Sequence, residues 1–294
     1  MNEPAADLGF LAALAQFAFL QRAVAAGLLA SVACGVVGTY VVVRRITYIA
    51  GAIAHSILGG MGAAVYLNRM WGWSWLDPMH GAVAAAVVSA LVIGTVSLRA
   101  RQREDTVIGA VWAIGMAVGV LFLAATRGYQ VDVMGYLFGS ISIVSPADVW
   151  LIVILDVVIL AIVFAFYAAF AAVCFDEEFA RARGVRVEAY YLLLLCLTAL
   201  TIVLLVKIVG IVLVIALLTL PVAIAGSLTH TLGRMMLLAT LLCAILTLSG
   251  VALSYGADLP AGATTVTLAG GVYLCAVAGR ACWPWLTRQR GAPH

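Results

Sequence analysis

The chain has 294 residues, of which 65% are hydrophobic and 10% are charged, and its mean hydropathy is +1.16. No single soluble core could hide so much apolar surface, so the composition excludes an ordinary soluble globular protein. The net charge of +3 is small and the basic residues are spread over several loops, which argues against a nucleic acid partner.

Apolar stretches of about 20 residues recur along the chain and predict an all-α polytopic membrane protein. A shorter apolar segment at about 9–20 precedes them. Nine spans are predicted, and eight is the alternative if the chain does not turn between Lys207 and Gly210. The predicted spans are about 20–43, 46–67, 81–98, 106–126, 148–173, 188–206, 208–226, 234–255 and 262–283. Together they predict a single transmembrane domain over residues 1–294.

Residues 127–147 differ from the spans on either side because they are semi-polar and rich in glycine. They are too short and too polar for a complete membrane-spanning helix. Irregular backbone at membrane depth is tolerated only where protein covers it or where it lines a cavity. We therefore predict a re-entrant or partial helix near 130–142.

The basic residues predict the orientation. If the N-terminus lies outside, only Arg22, Arg69, Arg127 and Lys207 fall outside or near the outer ends of the spans. The cytoplasmic side then receives Arg44, Arg45, Arg99, Arg101, Arg103, Arg181, Arg183, Arg186, Arg234, Arg280, Arg288 and Arg290. Positive residues concentrate on the cytoplasmic side of membrane proteins. We expect a multi-pass protein of the inner (plasma) membrane with an outer N-terminus and a cytoplasmic C-terminus.

A charged island, FDEEFARARGV, separates two of these spans and runs from Phe175 to Val185. Its acids precede its bases and a glycine closes it, a pattern that suits the dipole and the C-cap of a short helix. These charged residues and the glycine are Asp176, Glu177, Glu178, Arg181, Arg183 and Gly184. Phe175 and Phe179 are four residues apart and are expected to share one face. We predict a short cytoplasmic helix that another protein can contact; a solvated loop is the alternative.

The sequence contains no GxxxxGK[ST] motif, and Lys207 is its only lysine. The chain therefore cannot bind and hydrolyse a nucleotide by the P-loop route. The motifs HExxH and GxSxG are also absent. We expect a chain that is not itself an enzyme.

His55 lies in the middle of a predicted span, within GAIAHSILGG. A histidine inside a membrane helix is costly unless it faces protein or water, which makes it a candidate functional residue. Imidazole is a common ligand of zinc and other transition metals. A hydrogen bond to a neighbouring helix is the alternative. The small residues around His55 permit close helix packing.

Four further residues are weaker candidates. Asp156 is a second ionisable residue within a span, and we favour a structural role because no partner can be named for it. Asp132 and Asp258 are expected at the outer face, where each could meet a cation or be a solvated loop acid. Pro221 is expected to break or kink its helix and to act as a gate. The six cysteines lie in or beside the spans without a CxxC pair and are interpreted as small buried hydrophobes.

Several motifs resemble, in order and over nearly the whole chain, the zinc/manganese/iron family of ABC-importer permeases. The matching stretches are LQRAVAAGLLASVACGVVGTYVVVRRITYIAGAIAHSILGG, EDTVIGAVWAIGMAVGVLFL, VDVMGYLFGSIS, FDEEFARARGV, KIVGIVLVIALLTLPVAIA and SYGADLPAGATTVTLAGG. The resemblance implies a permease homodimer around a central path. It implies that FDEEFARARGV docks on a cytoplasmic ATPase and that an extracytoplasmic binding protein delivers the metal.

His55 matches the histidine of the D-x-x-x-H pattern of that family, whereas Gly51 stands at the position of the acid. Two consequences are open for the metal contact expected of His55: a shifted metal preference, or a His55 that acts alone. We expect no permanently bound cofactor and a transported divalent metal, zinc first and manganese or iron otherwise. The alternatives are a permease for iron chelates or cobalamin, and an intramembrane serine protease that uses a serine of Gly139–Ser142 with His55 as base.

Overall fold

The computed structural model describes residues 10–99, 104–126, 139, 144–257 and 259–289. Its helices are α1 (Phe10–Gln16), α2 (Ala18–Val43), α3 (Thr47–Trp71), α4 (Pro78–Arg99), α5 (Glu104–Ala125), α6 (Pro146–Phe175), α7 (Glu177–Ala182), α8 (Val187–Val209), α9 (Ile211–Leu228), α10 (Leu232–Ala257) and α11 (Ala261–Gln289).

Nine of these helices are long and apolar enough to cross a membrane, while α1 and α7 are short. The predicted all-α, polytopic fold class is thereby confirmed, and no strand occurs in the part of the chain that is described. The predicted partial helix near 130–142 lies outside the described residues except for Gly139.

Local sequence signals explain where α6 begins. The hydroxyl oxygen of Ser145 accepts a hydrogen bond from the backbone N–H of Asp148 at 3.2 Å, and the Asp148 carboxylate accepts one from the backbone N–H of Ser145 at 3.1 Å. Pro146 occupies the first turn, where its missing N–H costs nothing. This capping box satisfies backbone donors that a helix start leaves free.

The chain turns at a single residue between α8 and α9. Gly210 has φ +88° and ψ 156°, a conformation that glycine adopts without the steric cost of a Cβ. Val187 at the start of α8 packs with Val173 near the end of α6 and with Ala180 of α7. Ala225 near the end of α9 packs with Val43 at the end of α2. Because α6 and α2 end at one side of the bundle, α8 leaves that side and α9 returns to it.

The helix ends place eight arginines at one end of the bundle, here called the arginine-rich end. Arg44, just after α2, forms an ion pair with Glu177 at the start of α7. Arg280 donates a hydrogen bond to the carbonyl oxygen of Ser227, near the end of α9. The arginines at or near this end are Arg44, Arg45, Arg99, Arg181, Arg183, Arg186, Arg234 and Arg280.

The helix α2 lies at the centre of the bundle and α5 at its periphery. Close approach to α2 is made possible by glycine: a Cβ on Gly38 would lie 2.6 Å from the carbonyl oxygen of Leu218 in α9. On α5 the large residues Ile114, Val120 and Leu121 are exposed by 56–68%. In a membrane protein such a surface faces lipid or another protein chain.

Candidate functional site

His55 is half-buried on α3, where its ring stacks on the indole of Trp112 on α5. The ring centroids are 4.5 Å apart and the planes differ by 17°. Each residue is the eighth after the first residue of its helix, which places both about 12 Å along the helix axis from the arginine-rich end. Within the described residues no hydrogen bond or ion pair holds the imidazole.

Gly51 lies one helical turn before His55 on the same face of α3. A Cβ placed on Gly51 would lie 3.0 Å from Cζ3 and 3.4 Å from Cη2 of Trp112. The indole therefore fills the space that a side chain at position 51 would enter. Sequence reasoning missed Trp112, because nothing in its neighbourhood of α5 indicates which residue of α3 it meets.

Glycines bring the backbones of α3 and α5 together beyond this stack. A Cβ on Gly59 would lie 2.7 Å from the carbonyl oxygen of Gly115, and one on Gly62 would lie 2.7 Å from that of Gly119. Residue numbers rise together along both helices, so α3 and α5 run parallel. The predicted close packing around His55 is confirmed, and we call this line of contacts the α3–α5 seam.

A hydroxyl pair lies beside the seam. Ser89 on α4 donates a hydrogen bond of 2.8 Å to the Ser56 hydroxyl, which donates one of 2.7 Å to the carbonyl oxygen of Ile53. An open, mostly apolar cavity of about 540 Å³ between α3, α4 and α5 reaches these two serines. The three helices therefore leave accessible volume next to the turn that carries His55.

The predicted metal-path residues cannot be assembled into one site. Asp132 and Asp258 lie outside the described residues. Among the residues that are described, no group of three or more His, Cys, Asp and Glu side chains is arranged to hold a metal ion. His55 is thus the residue of the predicted path whose surroundings are known.

Asp156, on α6, is 5% exposed, and neither of its carboxylate oxygens has a hydrogen-bond partner of normal geometry. Its electrostatic neighbours include the buried thiol of Cys34 on α2, which in turn interacts with Cys243 on α10. The backbone of Ala33 on α2 is among its hydrogen-bonding neighbours, and no described cationic side chain pairs with it. Among the described residues, Asp156 and His55 do not belong to a group of three or more His, Cys, Asp and Glu side chains that could hold a metal ion.

Pro221 does not break its helix, because α9 continues through it from Ile211 to Leu228. A proline inside a helix leaves the carbonyl four residues earlier without its donor. Here that carbonyl belongs to Leu217, and the thiol of Cys243 on α10 donates a hydrogen bond to its oxygen at 3.4 Å. The contact explains how an interior proline is accommodated between α9 and α10.

The charged island folds as predicted into a short helix, α7, at the arginine-rich end. The Asp176 carboxylate caps it by accepting a hydrogen bond from the backbone N–H of Phe179 at 2.9 Å. Gly184 follows with φ +79°, a left-handed conformation that favours glycine. The acids of its first turn and Arg181 of its last turn have the signs that stabilise a helix dipole.

The prediction that Phe175 and Phe179 share one helical face is wrong. Phe175 is the last residue of α6, and Asp176, with φ −152° and ψ 100°, is extended and separates it from α7. The four-residue spacing therefore does not follow a continuous helix. Both rings are nevertheless exposed, by 69% and 52% respectively.

Buried and paired residues hold α7 against the bundle while its outer surface stays open. Ala180 is fully buried between Val173 of α6 and Val187 of α8. The polar contacts include the Arg44–Glu177 ion pair, Arg181 to Glu177 at 3.8 Å, Arg181 to Glu188 at 3.1 Å, and the Arg183 guanidinium 5.2 Å from the centre of the Phe179 ring. Glu178 is exposed.

Known proteins resemble the sequence of this chain over most of its length. The profile of the ABC 3 transport family matches residues 16–280. The chain is 38% identical to a "Probable metal transport system membrane protein" of Chlamydia trachomatis, covering 83% of each chain. It is 34% identical to the "Manganese transport system membrane protein MntC" of Halalkalibacterium halodurans, covering 91% of this chain and 89% of the relative.

A solved structure has the same fold. PsaBC from Streptococcus pneumoniae, determined in complex with a Fab, superposes with a TM-score of 0.79 at 27% sequence identity. The match covers 91% of this chain and 94% of that one. With a family profile that spans most of the sequence and relatives above 30% identity, the chain belongs to the ABC 3 transport family.

Proposed function

We propose that this chain is the permease subunit of an ABC importer for a divalent transition metal. The observation that carries the proposal is its similarity, over almost its whole length, to relatives named as metal and manganese transport membrane proteins. The half-buried imidazole of His55 beside a seam of small residues supports it, because transport needs an intramembrane site that binds weakly enough to release the ion.

A separate ATPase must drive the transport, since the sequence contains no P-loop. We propose that the ATPase docks at the arginine-rich end on α7, where Phe175 and Phe179 offer exposed aromatic surface. The residues proposed for this coupling surface are Phe175, Asp176, Glu177, Glu178, Phe179, Arg181, Arg183 and Gly184. An extracytoplasmic metal-binding protein at the opposite end and a second copy of the permease complete the proposed importer.

We propose that the permease lies in the plasma membrane. Its N-terminus is then outside, and its arginine-rich end is in the cytoplasm. The common location of eight arginines supports it. In a cysteine-free background, Ser74→Cys should react with an impermeant thiol reagent from outside, and Ser227→Cys from the cytoplasm. Reaction of Ser227→Cys from outside would contradict this orientation.

The identity of the metal is the finer part of the proposal. Imidazole favours zinc, whereas carboxylate and water oxygens favour manganese. The chemistry of His55 therefore supports zinc, and the names of relatives such as the H. halodurans protein support manganese. Competition between the two metals for one uptake system distinguishes them.

The decisive experiment is ATP-dependent uptake in liposomes that contain the permease with its ATPase. We expect accumulation of radioactive zinc or manganese, at a rate that the extracytoplasmic binding protein increases. Uptake of cobalamin or a ferric chelate in place of the free ions would favour the related permease function. Peptide hydrolysis without an ATPase would favour the protease, although its serines Ser140 and Ser142 lie outside the described residues.

A further inference from the structure

The contact between α3 and α5 assigns a role to a residue that the predicted site did not include. Resting on the proposed function, we infer that Trp112 positions His55 and determines the specificity of its site, because its indole occupies the place from which residue 51 would otherwise supply a second ligand. The expected ligands are divalent cations that bind well to a single imidazole.

The first step of the argument is the geometry of one helix face. Residues four apart on a helix are neighbours, so a side chain at position 51 would extend toward the His55 ring. Three atoms of the Trp112 six-membered ring lie 3.0–3.8 Å from the point where a Cβ on Gly51 would be. The indole and a side chain at position 51 therefore compete for the same space, and the indole must shift to admit a side chain there.

The second step is that α5 cannot easily withdraw. At Gly59 and Gly62 the space for a Cβ is taken by the carbonyl groups of Gly115 and Gly119. A Cβ on Gly115 would in turn lie 2.6 Å from the Cα of Ser56. Interhelical contacts of this kind rely on small residues, and they fix the register that places Trp112 over His55.

The third step concerns the chemistry that remains. Stacking covers one face of the imidazole at a centroid distance of 4.5 Å and leaves the ring nitrogens at its edge. Among the described residues, no group of three or more His, Cys, Asp and Glu side chains is arranged to hold a metal ion there. A cation would be held by one nitrogen and by water, with weak attraction from the indole face. Such a site favours zinc, which binds imidazole readily, over manganese, which prefers oxygen ligands.

The test is a double-mutant cycle on the permease–ATPase complex in liposomes, with Gly51→Asp, Trp112→Ala and the double variant. The KM and kcat of uptake are measured for zinc and for manganese. Gly51→Asp alone should raise the KM for both metals about tenfold, because the new side chain displaces the indole from His55. In the Trp112→Ala background the same aspartate should lower the KM for manganese by about tenfold and change kcat little.

Matched variants separate this role from a general packing effect. Gly51→Ala places a methyl group against the indole and should change the ratio of zinc to manganese KM. Gly109→Ala on α5, where a Cβ meets no atom within 4 Å, should leave the ratio unchanged. Trp112→Phe retains an aromatic ring and should restore most of the wild-type ratio, including when Trp112→Ala proves too unstable to purify.

The outcomes also distinguish this inference from the proposed function. If the wild-type complex transports neither metal, the proposed function fails. If the wild type transports metal but the two substitutions act independently and the zinc-to-manganese ratio stays constant in every variant, Trp112 is a packing residue and the inference is overturned.

Discussion

The α3–α5 seam and the charged island represent two kinds of candidate functional surface in one chain. The seam joins residues that are distant in sequence, such as His55 and Trp112, and glycine contacts hold it inside the membrane-spanning bundle. The island is local in sequence, is capped by its own Asp176, and exposes aromatic and charged side chains at the end of the bundle. We propose that the seam binds an ion and that the island binds a protein.

The contrast implies that the two regions can be damaged separately. A change at the seam should impair metal uptake without loosening the ATPase, because the island does not depend on it. A change at the island should weaken the ATPase without altering the affinity of the permease for metal. A variant that impaired both activities equally would show that the regions are not independent.

The largest effect is expected for His55→Ala. Loss of a metal ligand or of the group that orients it typically costs 10–100-fold in affinity or activity, so uptake should fall by at least about tenfold. Assembly with the ATPase should be unchanged, as measured by co-purification. His230→Ala, a loop histidine, is the matched control and should transport like the wild type. Unchanged uptake kinetics in His55→Ala would leave His55 a packing residue.

The two regions also differ in how much of each the sequence could predict. The island was predictable because caps, dipole charges and the closing glycine act within a few residues, and Asp176 and Gly184 take those roles. Even there, the prediction that Phe175 and Phe179 share one face was wrong. The single extended residue between the two helices changes the direction of the side chains.

At the seam the small residues of α3 were predictable as a packing surface, but their partner was not. Gly51 is informative only once Trp112 is known to lie against it, and that contact depends on the register of two parallel helices. Hydropathy predicts that a helix spans the membrane but does not determine its rotation. Likewise, no local signal predicts that the Cys243 thiol meets the carbonyl left free by Pro221.

The second prediction sharpens the comparison at the island. Phe179→Ala should weaken binding of the ATPase by about tenfold or more, because truncation of an aromatic anchor removes about 2 kcal/mol from an interface. ATPase activity stimulated by the binding protein should fall with it, while metal binding to the permease stays unchanged. Phe164→Ala, which truncates a ring that is 79% exposed on α6, is the control. Equal weakening by both substitutions would indicate a general loss of stability.

Gly184→Pro should act in the same direction by a different route. Gly184 has φ +79°, which proline cannot adopt, and its backbone N–H donates a 2.9 Å hydrogen bond to the carbonyl oxygen of Arg181 that proline would remove. The end of α7 should therefore be disrupted, with a severalfold loss of ATPase-coupled uptake. Gly184→Ala is the control and should show a smaller loss. Gly256→Pro is not a useful control, because it would place a proline inside α10.

A smaller effect is expected where the island meets the bundle. Glu177→Gln removes the charge that faces Arg44, whose side chain is 21% exposed and which also contacts the Val173 carbonyl and the Tyr191 ring. Because those contacts remain, the free energy of unfolding should fall by only about 1 kcal/mol. Thermal unfolding of the purified complex measures this. Glu178→Gln, at the exposed neighbouring acid, should change it by less than about 0.5 kcal/mol.

The smallest effect on transport is expected for Asp156→Asn. Asp156 belongs to neither region, so this variant tests whether an ionisable group within the membrane is sufficient for function. Its carboxylate is buried, and among the described residues it has no hydrogen-bond partner of normal geometry. An unpaired buried charge is costly, so the nearly isosteric and uncharged Asp156→Asn should keep uptake within about twofold of the wild type. Uptake of zinc and manganese by Asp156→Asn and His55→Ala, measured side by side at equal protein levels, makes the comparison direct. A loss as large as that of His55→Ala would place Asp156 on the ion path. The cavity beside the turn of His55 would then no longer explain why one ionisable residue acts and the other does not.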